Sequence, residues 1–361
     1  MLPKPLSLSK KSAMKKISIA STLLMCLLLL INFNASAQWS YGKVEEIEDL
    51  KNRKLIVVTE VENEKVVEKL KKLHKEAALP AYKAALDEYN ANLKVAIESF
   101  WPYETEIVYK TWEQAKALQK AKSEEYGVIY AFNRETNVVF NVSDSDPGLD
   151  WNYYDLKEGD IKSQKADWSS STYIRIDLIE NIKNTKKLPI IEIGLPHVFP
   201  QKSDLTFGLQ YCAWYMENRL KDAKAKDMRD MAEENAKLLK EMTVVIRESD
   251  LDKDLTKNEI KALYKFPFEL VSDAQYDSII LAKTVGKPYL IISPQFTSVN
   301  GTYTVLYSYL VMDPSNGEVM DIIYPGGGGA AVTAMMGVKT KIGMELTEYV
   351  FKTLQKDVID D

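Results

Sequence analysis

The chain has 361 residues, of which 27% are charged, 46% hydrophobic and 10% aromatic, and its formal net charge is −5. This balance is typical of a globular protein and argues against a disordered one, and the length exceeds what a single hydrophobic core usually needs. The acidic charge argues against nucleic acid as a partner.

The first 37 residues have the three regions of a secretory signal peptide. Five lysines without any acid come first, a mostly apolar run follows over 17–31, and Ala35 and Ala37 supply the small residues of the cleavage site. We therefore expect cleavage between Ala37 and Gln38. A retained membrane anchor is the alternative, and it is disfavoured because the densest apolar part is too short for a hydrocarbon core of roughly 30 Å.

Removal of this segment leaves 324 residues and moves the formal charge from −5 to −10, because the segment holds five lysines and no acid. We expect a periplasmic or secreted protein without a transmembrane segment in its mature chain. Cys212 is then the only cysteine, so no intramolecular disulfide is expected. Its place in an apolar helical stripe predicts a core residue.

The first module is predicted over 38–202. Its expected elements are a strand at 54–59, a helical pattern at 64–100 interrupted at Pro80, a short strand at 106–109, a helix at 111–122, and strands near 127–132, 137–142, 172–179 and 188–193. A helix follows, with an apolar stripe of Leu205, Leu209, Cys212, Met216 and Leu220. Beyond that stripe the helix becomes charged, which is typical of a solvated connection between domains. We predict a connecting helix over 203–241.

The second module, predicted over 242–361, repeats this order. A strand at 242–247, a helix at 256–265, an extended segment at 268–271, a helix at 273–284 and a strand at 289–292 come first. Two turns, at 300–301 and 313–317, then predict an antiparallel meander over 293–324. The last helix has a stripe of Val338, Ile342, Leu346, Val350 and Leu354.

The two modules share the order β-α-β-α-β-β-β-α. Trp101-Pro102-Tyr103-Glu104 and Phe266-Pro267-Phe268-Glu269 are predicted to lie at the same structural place in each. The fold class expected is therefore α/β (α+β), with two tandem similar modules, each a mixed or antiparallel sheet packed with helices. The alternative is two unrelated units that share a common topology. The order resembles small α/β modules of bacterial envelope-assembly proteins, and a resemblance in fold implies no activity.

Histidine and cysteine offer little material for chemistry. The chain has two histidines, His74 in a lysine-rich helical segment and His197 in a proline-flanked loop, and neither has ligand spacing around it. A metal site built on histidine and cysteine, or a Ser-His-Asp triad, is therefore not expected. No cofactor and no metal are predicted, and no catalytic residue is assigned.

Two further segments imitate known motifs. Asp250, Asp252 and Asp254 have the spacing that opens an EF-hand loop, but its sixth position is Leu255 rather than glycine and its twelfth is Lys261 rather than glutamate. A capping box at Thr256–Glu259 is the better interpretation of this segment. Glycines 326–329 imitate a phosphate-binding turn, but no lysine is in register, so a flexible start to the last helix is expected.

The segment 143–170 is an insertion that the second module lacks. It contains aromatic residues beside carboxylates, and this combination, if exposed, is suited to binding a glycan, a peptide or a cation. The candidate binding residues are Asp144, Asp146, Asp150, Trp151, Tyr153, Tyr154 and Trp168. The alternative is that these aromatic residues pin the loop to its own domain.

Three hypotheses for function follow. The first is an exported envelope protein with a non-enzymatic binding or scaffolding role, whose partner is an envelope protein or a glycan. The second is a small-molecule or glycan-binding protein that uses the cleft between the modules or the insertion. The third is a hydrolase that depends on carboxylates, since two carboxylates alone can hydrolyse a glycosidic bond.

Overall fold

The computed structural model describes residues 42–72, 76–136, 142–144, 170–182, 188–221, 232, 234–299, 302–324 and 345–359. Its helices are α1 (Val44–Leu50), α2 (Glu64–Lys72), α3 (Leu79–Phe100), α4 (Trp112–Lys120), α5 (Lys202–Lys221), α6 (Lys257–Leu263), α7 (Asp273–Leu281) and α8 (Glu348–Ile359). Its strands are β1 (Lys54–Thr59), β2 (Ile107–Thr111), β3 (Tyr126–Thr136), β4 (Val142–Asp144), β5 (Ser170–Leu178), β6 (Ile191–Gly194), β7 (Val244–Arg247), β8 (Phe268–Val271), β9 (Tyr289–Val299), β10 (Thr302–Met312) and β11 (Val319–Ile323). Short 3-10 turns lie at Glu76–Ala78, Ile179–Asn181, Lys237–Lys240 and Glu248–Asp250.

The strands form two mixed sheets of the same design. Sheet one has the order β2-β1-β3-β5-β6, with β4 added to β3, and sheet two has the order β8-β7-β9-β10-β11. In sheet one, β1 pairs in parallel with β2 and β3, whereas β3 with β5 and β5 with β6 pair antiparallel. In sheet two, β7 pairs in parallel with β8 and β9, whereas β9 with β10 and β10 with β11 pair antiparallel. The predicted fold class is confirmed: two tandem α/β modules share one strand order and one set of strand directions.

The backbone hydrogen bonds align the modules residue by residue. Leu55 N donates to Glu106 O at 2.8 Å, and Val244 N donates to Pro267 O at 3.0 Å in the same place of sheet two. Pro267 therefore corresponds to Glu106, while Pro102 lies further back, just after α3. The two aromatic-proline segments both lie between a helix and an edge strand, but the prediction that they occupy one position is wrong, because their loops differ in length.

Equivalent capping interactions begin α4 and α7. Thr111 N donates to Gln114 Oε1 at 2.9 Å, and Ser272 N donates to Gln275 Oε1 at 3.1 Å. The capping residue is the last residue of edge strand β2 in module one and directly follows edge strand β8 in module two, so in both modules the hydrogen bond lies where the chain turns from strand into helix.

The same two helices also end alike. Among the described residues, Lys122 and Lys283 are the non-glycine residues with positive φ, at 56° and 52°. Lys122 N donates to Gln119 O, and Lys283 N donates to Ile280 O. A residue in the left-handed conformation just past a helix lets its N–H group hydrogen-bond to one of the last carbonyl groups of the helix, and it reverses the chain. Lysine adopts this conformation at a higher conformational cost than glycine.

Helix α5 lies between the two sheets and belongs to the core of both. A Cβ added to Gly208 would meet Ile174 and Leu195 of module one at 2.8 and 2.9 Å. On the other side, Tyr289 Oη donates to Gln210 Oε1 at 2.9 Å, and Gln210 Nε2 donates to Pro314 O at 3.1 Å. Residues 203–212 of α5 are all buried, so this part of the helix needs no polar face. The predicted stripe therefore describes only part of its contacts, although Cys212 is buried as expected.

The outer layers follow the predicted pattern with three differences. Pro80 lies in the first turn of α3 instead of interrupting a helix, which is the position where a missing N–H costs nothing. The final helix begins at Glu348, and Leu346 of the predicted stripe instead forms a bridge with Leu251. The helix α1 has no counterpart in the predicted order. It packs Ile47 and Leu50 into the core beneath sheet one.

Candidate functional site at the module junction

Residues 145–169 of the insertion and several other predicted positions lie outside the described residues. Asp144 ends strand β4, and nothing is described for the side chains of the candidate set. The other named positions that lie outside the described ranges include Ala37, Gln38, His74, Asp146, Asp150, Trp151, Tyr153, Tyr154, Trp168, glycines 326–329, Val338 and Ile342.

The chain around the insertion nevertheless shows how the modules differ. Strands β3 and β5 are neighbours joined by residues 137–169, whereas their counterparts β9 and β10 are joined by residues 300 and 301 alone. A two-residue turn therefore suffices to connect this strand pair, and the insertion is not needed for the connection. The added strand β4 pairs with the end of β3.

The described residues place a buried polar cluster where the two modules meet, and we call it the junction cluster. Its members come from both modules: His197 from the loop after β6, Asp204 from the first turn of α5, Arg247 from the end of β7, Asp250 from the turn that follows, and Asp277 from α7. His197, Asp204, Arg247 and Asp250 are buried in the assembled fold. Ends of parallel strands and domain junctions are where sites commonly form in α/β proteins.

The ion pairs of the cluster form two sets, one on each side of the junction. His197 Nδ1 lies 2.9 Å from Asp204 Oδ2, and that oxygen also accepts a hydrogen bond of 2.8 Å from Gln201 N. Arg247 Nη2 lies 3.4 Å from Asp277 Oδ1, and Arg247 Nε lies 3.9 Å from Asp250 Oδ2.

The Arg247 guanidinium also stacks on an aromatic ring. Its carbon lies 4.3 Å from the centre of the Tyr276 ring, and the Tyr276 hydroxyl donates to Leu290 O at 2.8 Å. This arrangement holds a permanently charged group inside the protein by giving it a ring face and carboxylates in place of water.

Burial and charge change the pKa values of two members. Burial by itself lowers the pKa of His197, but the adjacent Asp204 carboxylate outweighs it and raises this pKa above its usual value. Burial raises the pKa of Asp277, while Ser203 and Arg247 oppose the rise. Both shifts favour the protonated form of the group.

The chemistry available to this cluster is limited by its enclosure. A hydrolytic pair of carboxylates must reach both substrate and water, whereas Asp204 is 0% exposed and Asp250 is 7% exposed. Within the described ranges, no three histidine, cysteine, aspartate or glutamate side chains are arranged to hold a metal ion. The contacts present are structural ion pairs in two sets, His197 with Asp204 on one side of the junction and Arg247 with Asp250 and Asp277 on the other.

A second polar network lies on sheet one, away from the junction. Arg175 Nη2 lies 3.0 Å from Asp177 Oδ2, and Arg134 Nη1 lies 2.6 Å from Glu192 Oε1. Burial raises the pKa of Asp177 to about 6, against the opposing effect of Arg175. The position of Asp177 is occupied in module two by Met312, because Val128 and Tyr289 correspond in the two sheets.

Sequence reasoning missed the junction cluster. His197 was judged by its neighbours in sequence, and its partner Asp204 lies seven residues later, in the first turn of a helix. Asp250 was assigned to the imitation of an EF-hand loop, and the chain folds it into the junction instead. The capping box in that segment is confirmed, since Thr256 N donates to Glu259 Oε2 at 2.7 Å.

Comparison with known proteins gives no match among protein-family models, curated proteins or solved structures. Across the described part of the chain, no helix has both the length and the apolar character that crossing a membrane would require.

Proposed function

We propose that the chain is an exported protein of the cell envelope with a non-enzymatic binding or scaffolding role, and that the insertion at 143–170 carries its contact with a partner. The observation that carries this proposal is the unequal connection of equivalent strands. In module two, two residues connect β9 to β10, whereas in module one residues 137–169 connect the equivalent strands β3 and β5. An addition that the fold does not need for connectivity is a candidate for function.

The close packing at the junction argues against a binding site in a cleft between the modules, and favours one on the insertion. Where the described residues of the two modules meet, α5 fills the space between the sheets, and a Cβ added to Gly194 would lie 1.9 Å from Pro294 O. Such close backbone approach between β6 and β9 makes the modules one packed body at this point. We place ligand recognition on the insertion, where four aromatic side chains could stack and acids could accept hydrogen bonds.

The test replaces the insertion with the matching turn of module two. Glu135 corresponds to Phe296 and Ser170 to Val305, so residues 136–169 are exchanged for the segment 297–304, which preserves the strand register. The wild-type and grafted chains are then used to capture partners from native envelope. We expect the graft to keep the thermal transition of the wild type and to lose the partner.

Two further variants keep this experiment decisive. The triple substitution Trp151→Ala, Tyr153→Ala and Tyr154→Ala removes the aromatic surface without changing chain length, and it should also lose the partner. Val285→Ser, at an apolar side chain that is 80% exposed in module two, should retain it. A folded graft that still captures the partner contradicts the proposal. Unfolding of both insertion variants would show that the aromatic residues belong to the core of module one.

Export is tested separately by sequencing the N-terminus of the processed protein. A chain that begins at Gln38 supports export and cleavage. A mature chain that begins at Met1 or Met14 contradicts them, and it would also remove the envelope from the proposed function.

A further inference from the structure

We propose that Asn316 is a deamidation site, and that the packing of its turn against α5 holds the reaction back until the turn opens. Asn316 and Gly317 form one of the two Asn-Gly pairs of the chain, and they lie in the turn that connects β10 to β11. Asparagine is among the thermolabile residues of proteins. A glycine that follows it has no Cβ to shield its amide nitrogen from the asparagine side chain.

The reaction uses only the chain and water. The Gly317 amide nitrogen attacks Cγ of Asn316, the new C–N bond closes a five-membered succinimide ring, and the side-chain nitrogen leaves as ammonia with the proton of the attacking amide. Water then opens the ring at one of its two carbonyl carbons. The product is aspartate or isoaspartate, and in isoaspartate the backbone runs through the former side chain and is one carbon longer.

Three hydrogen bonds hold the reacting groups in another arrangement. Gly317 N donates to Asp313 O at 2.9 Å, which engages the proton that the attacking amide must lose. Asn316 Oδ1 accepts a hydrogen bond of 2.9 Å from Glu318 N, and Asp313 N donates to Glu318 O at 2.8 Å. The attack therefore requires the turn to open, because both reacting groups must first give up a hydrogen bond.

Contacts with α5 keep this turn in place. Gln210 Nε2 donates to Pro314 O at 3.1 Å, and a Cβ added to Gly317 would lie 3.1 Å from the Gln210 Cβ. At the end of the turn, Glu318 Oε1 accepts a hydrogen bond of 3.1 Å from Trp214 Nε1. Because the attacking residue itself packs on Gln210, opening of the turn disturbs the contact between module two and the last helix of module one.

The two products should differ in their effect on this contact. Aspartate at position 316 keeps a side-chain oxygen for Glu318 N, so the turn should stay intact. Isoaspartate adds one backbone carbon before Gly317, which moves this residue away from Asp313 O and from Gln210. We therefore expect isoaspartate, once formed, to keep the turn from packing on α5.

The first experiment measures the protection in the full chain. Wild-type protein is incubated at pH 8 in buffer and in guanidinium chloride, and tandem mass spectrometry assigns each product to residue 316 or 300. We expect Asn316 to react more slowly in the folded chain by at least about tenfold, because two hydrogen bonds must break before the attack. Equal rates in the folded and the unfolded chain overturn the proposal.

The second experiment tests the role of α5. Trp214→Phe removes the indole donor to Glu318 and keeps an aromatic ring, and Gln210→Ala removes the side chain that lies against the turn. Both should speed the reaction of Asn316 under native conditions. Gln114→Ala is the matched control, because it removes a glutamine hydrogen bond at the start of α4, and its rate should equal that of the wild type. Equal acceleration in all three variants, or none in the two α5 variants, overturns the proposal.

A comparison of the products decides the case if Gln210→Ala does not fold. The isoaspartate form is made in the unfolded chain, separated by chromatography and refolded, and Asn316→Asp supplies the aspartate form. Amide hydrogen exchange in the β10–β11 turn and in α5 around Gln210 should be faster in the isoaspartate form and like the wild type in Asn316→Asp. Identical exchange in the two forms contradicts the proposed loss of the contact.

Discussion

The two modules share one topology, but they differ in how the same sheet face is covered. In module two, the face that carries Val245, Tyr289 and Ile291 packs against α5 as well as against α7, the counterpart of α4. In module one, the corresponding face carries Ile56, Val128 and Tyr130 and packs in a separate cluster with α4. The repeated framework is thus covered differently in the two modules, because α5 reaches this face only in module two.

The difference continues at individual positions. Val58 at the end of β1 corresponds to Arg247 at the end of β7, and Met312 in module two stands where module one has Asp177. Each module therefore has buried charge at a site where the other is apolar. These positions, together with the shared turns, allow the comparison to be tested by substitution.

Removal of the Arg247 charge should have the largest effect. Arg247→Leu leaves three carboxylates at the junction without their permanent counter-charge, and breaking a buried ion pair by removing one partner costs about 3–5 kcal/mol. Denaturant unfolding measures this loss. Arg247→Lys, which keeps the charge but not the planar contacts, should lose less. Equal losses would show that packing on Tyr276, and not charge, is what matters.

The next effect concerns Asp177 and has a defined pH range. Its pKa is raised to about 6 in the fold, so its contribution to stability is full below about 3.8 and falls by up to about 3 kcal/mol as the pH rises through 6. Asp177→Asn should flatten stability over pH 4–6.5 relative to the wild type. An unchanged slope would contradict a buried titration at this position.

Gly194 tests the close approach between the modules. An added Cβ would lie 1.9 Å from Pro294 O, and backbone atoms cannot rotate away, so Gly194→Ala should cost about 1–3 kcal/mol. Gly286→Asn is the matched control, because nothing lies within 4 Å of that position and asparagine tolerates its positive φ. A neutral Gly194→Ala would mean that the sheets can separate without loss.

The helix caps test the equivalence of the modules themselves. Thr111→Ala and Ser272→Ala each remove a capping hydroxyl at the start of α4 or α7, and each should cost about 1 kcal/mol. The two losses are measured by thermal unfolding and should add in the double variant, since they lie in different modules. A loss of stability in only one of the two single variants would show that the capping hydroxyl stabilises only one of the two modules.

The left-handed lysines provide the smallest and opposite effect. Lys122→Gly and Lys283→Gly relieve the positive φ at the ends of α4 and α7, and each should raise stability by up to about 1 kcal/mol. Lys116→Gly, inside α4, is the control and should instead destabilise by about 1 kcal/mol. A loss at both helix ends would indicate that the lysine side chains make contacts worth more than the backbone strain.

Local patterns in the sequence determined the order of elements, because strands and helices have different hydrophobic periods and turns need particular residues. The antiparallel pairing of the strands on either side of residues 300 and 301, the capping box at Thr256 and the burial of Cys212 follow from such local rules. The order of helices and strands was predictable on the same basis, except that α1 was not predicted and the last helix begins at Glu348, after Leu346 of the predicted stripe.

Only the tertiary structure decided which strands pair in parallel, the position of α5 between the sheets and the membership of the junction cluster. His197, Arg247 and Asp277 lie far apart in the chain, and no periodicity records which residues of different elements will meet. Apolar burial depends mainly on each residue's own pattern, whereas an ion pair depends on two partners and on the burial they share. For this reason the core residues could be predicted from the sequence, whereas the charged residues at the junction could not.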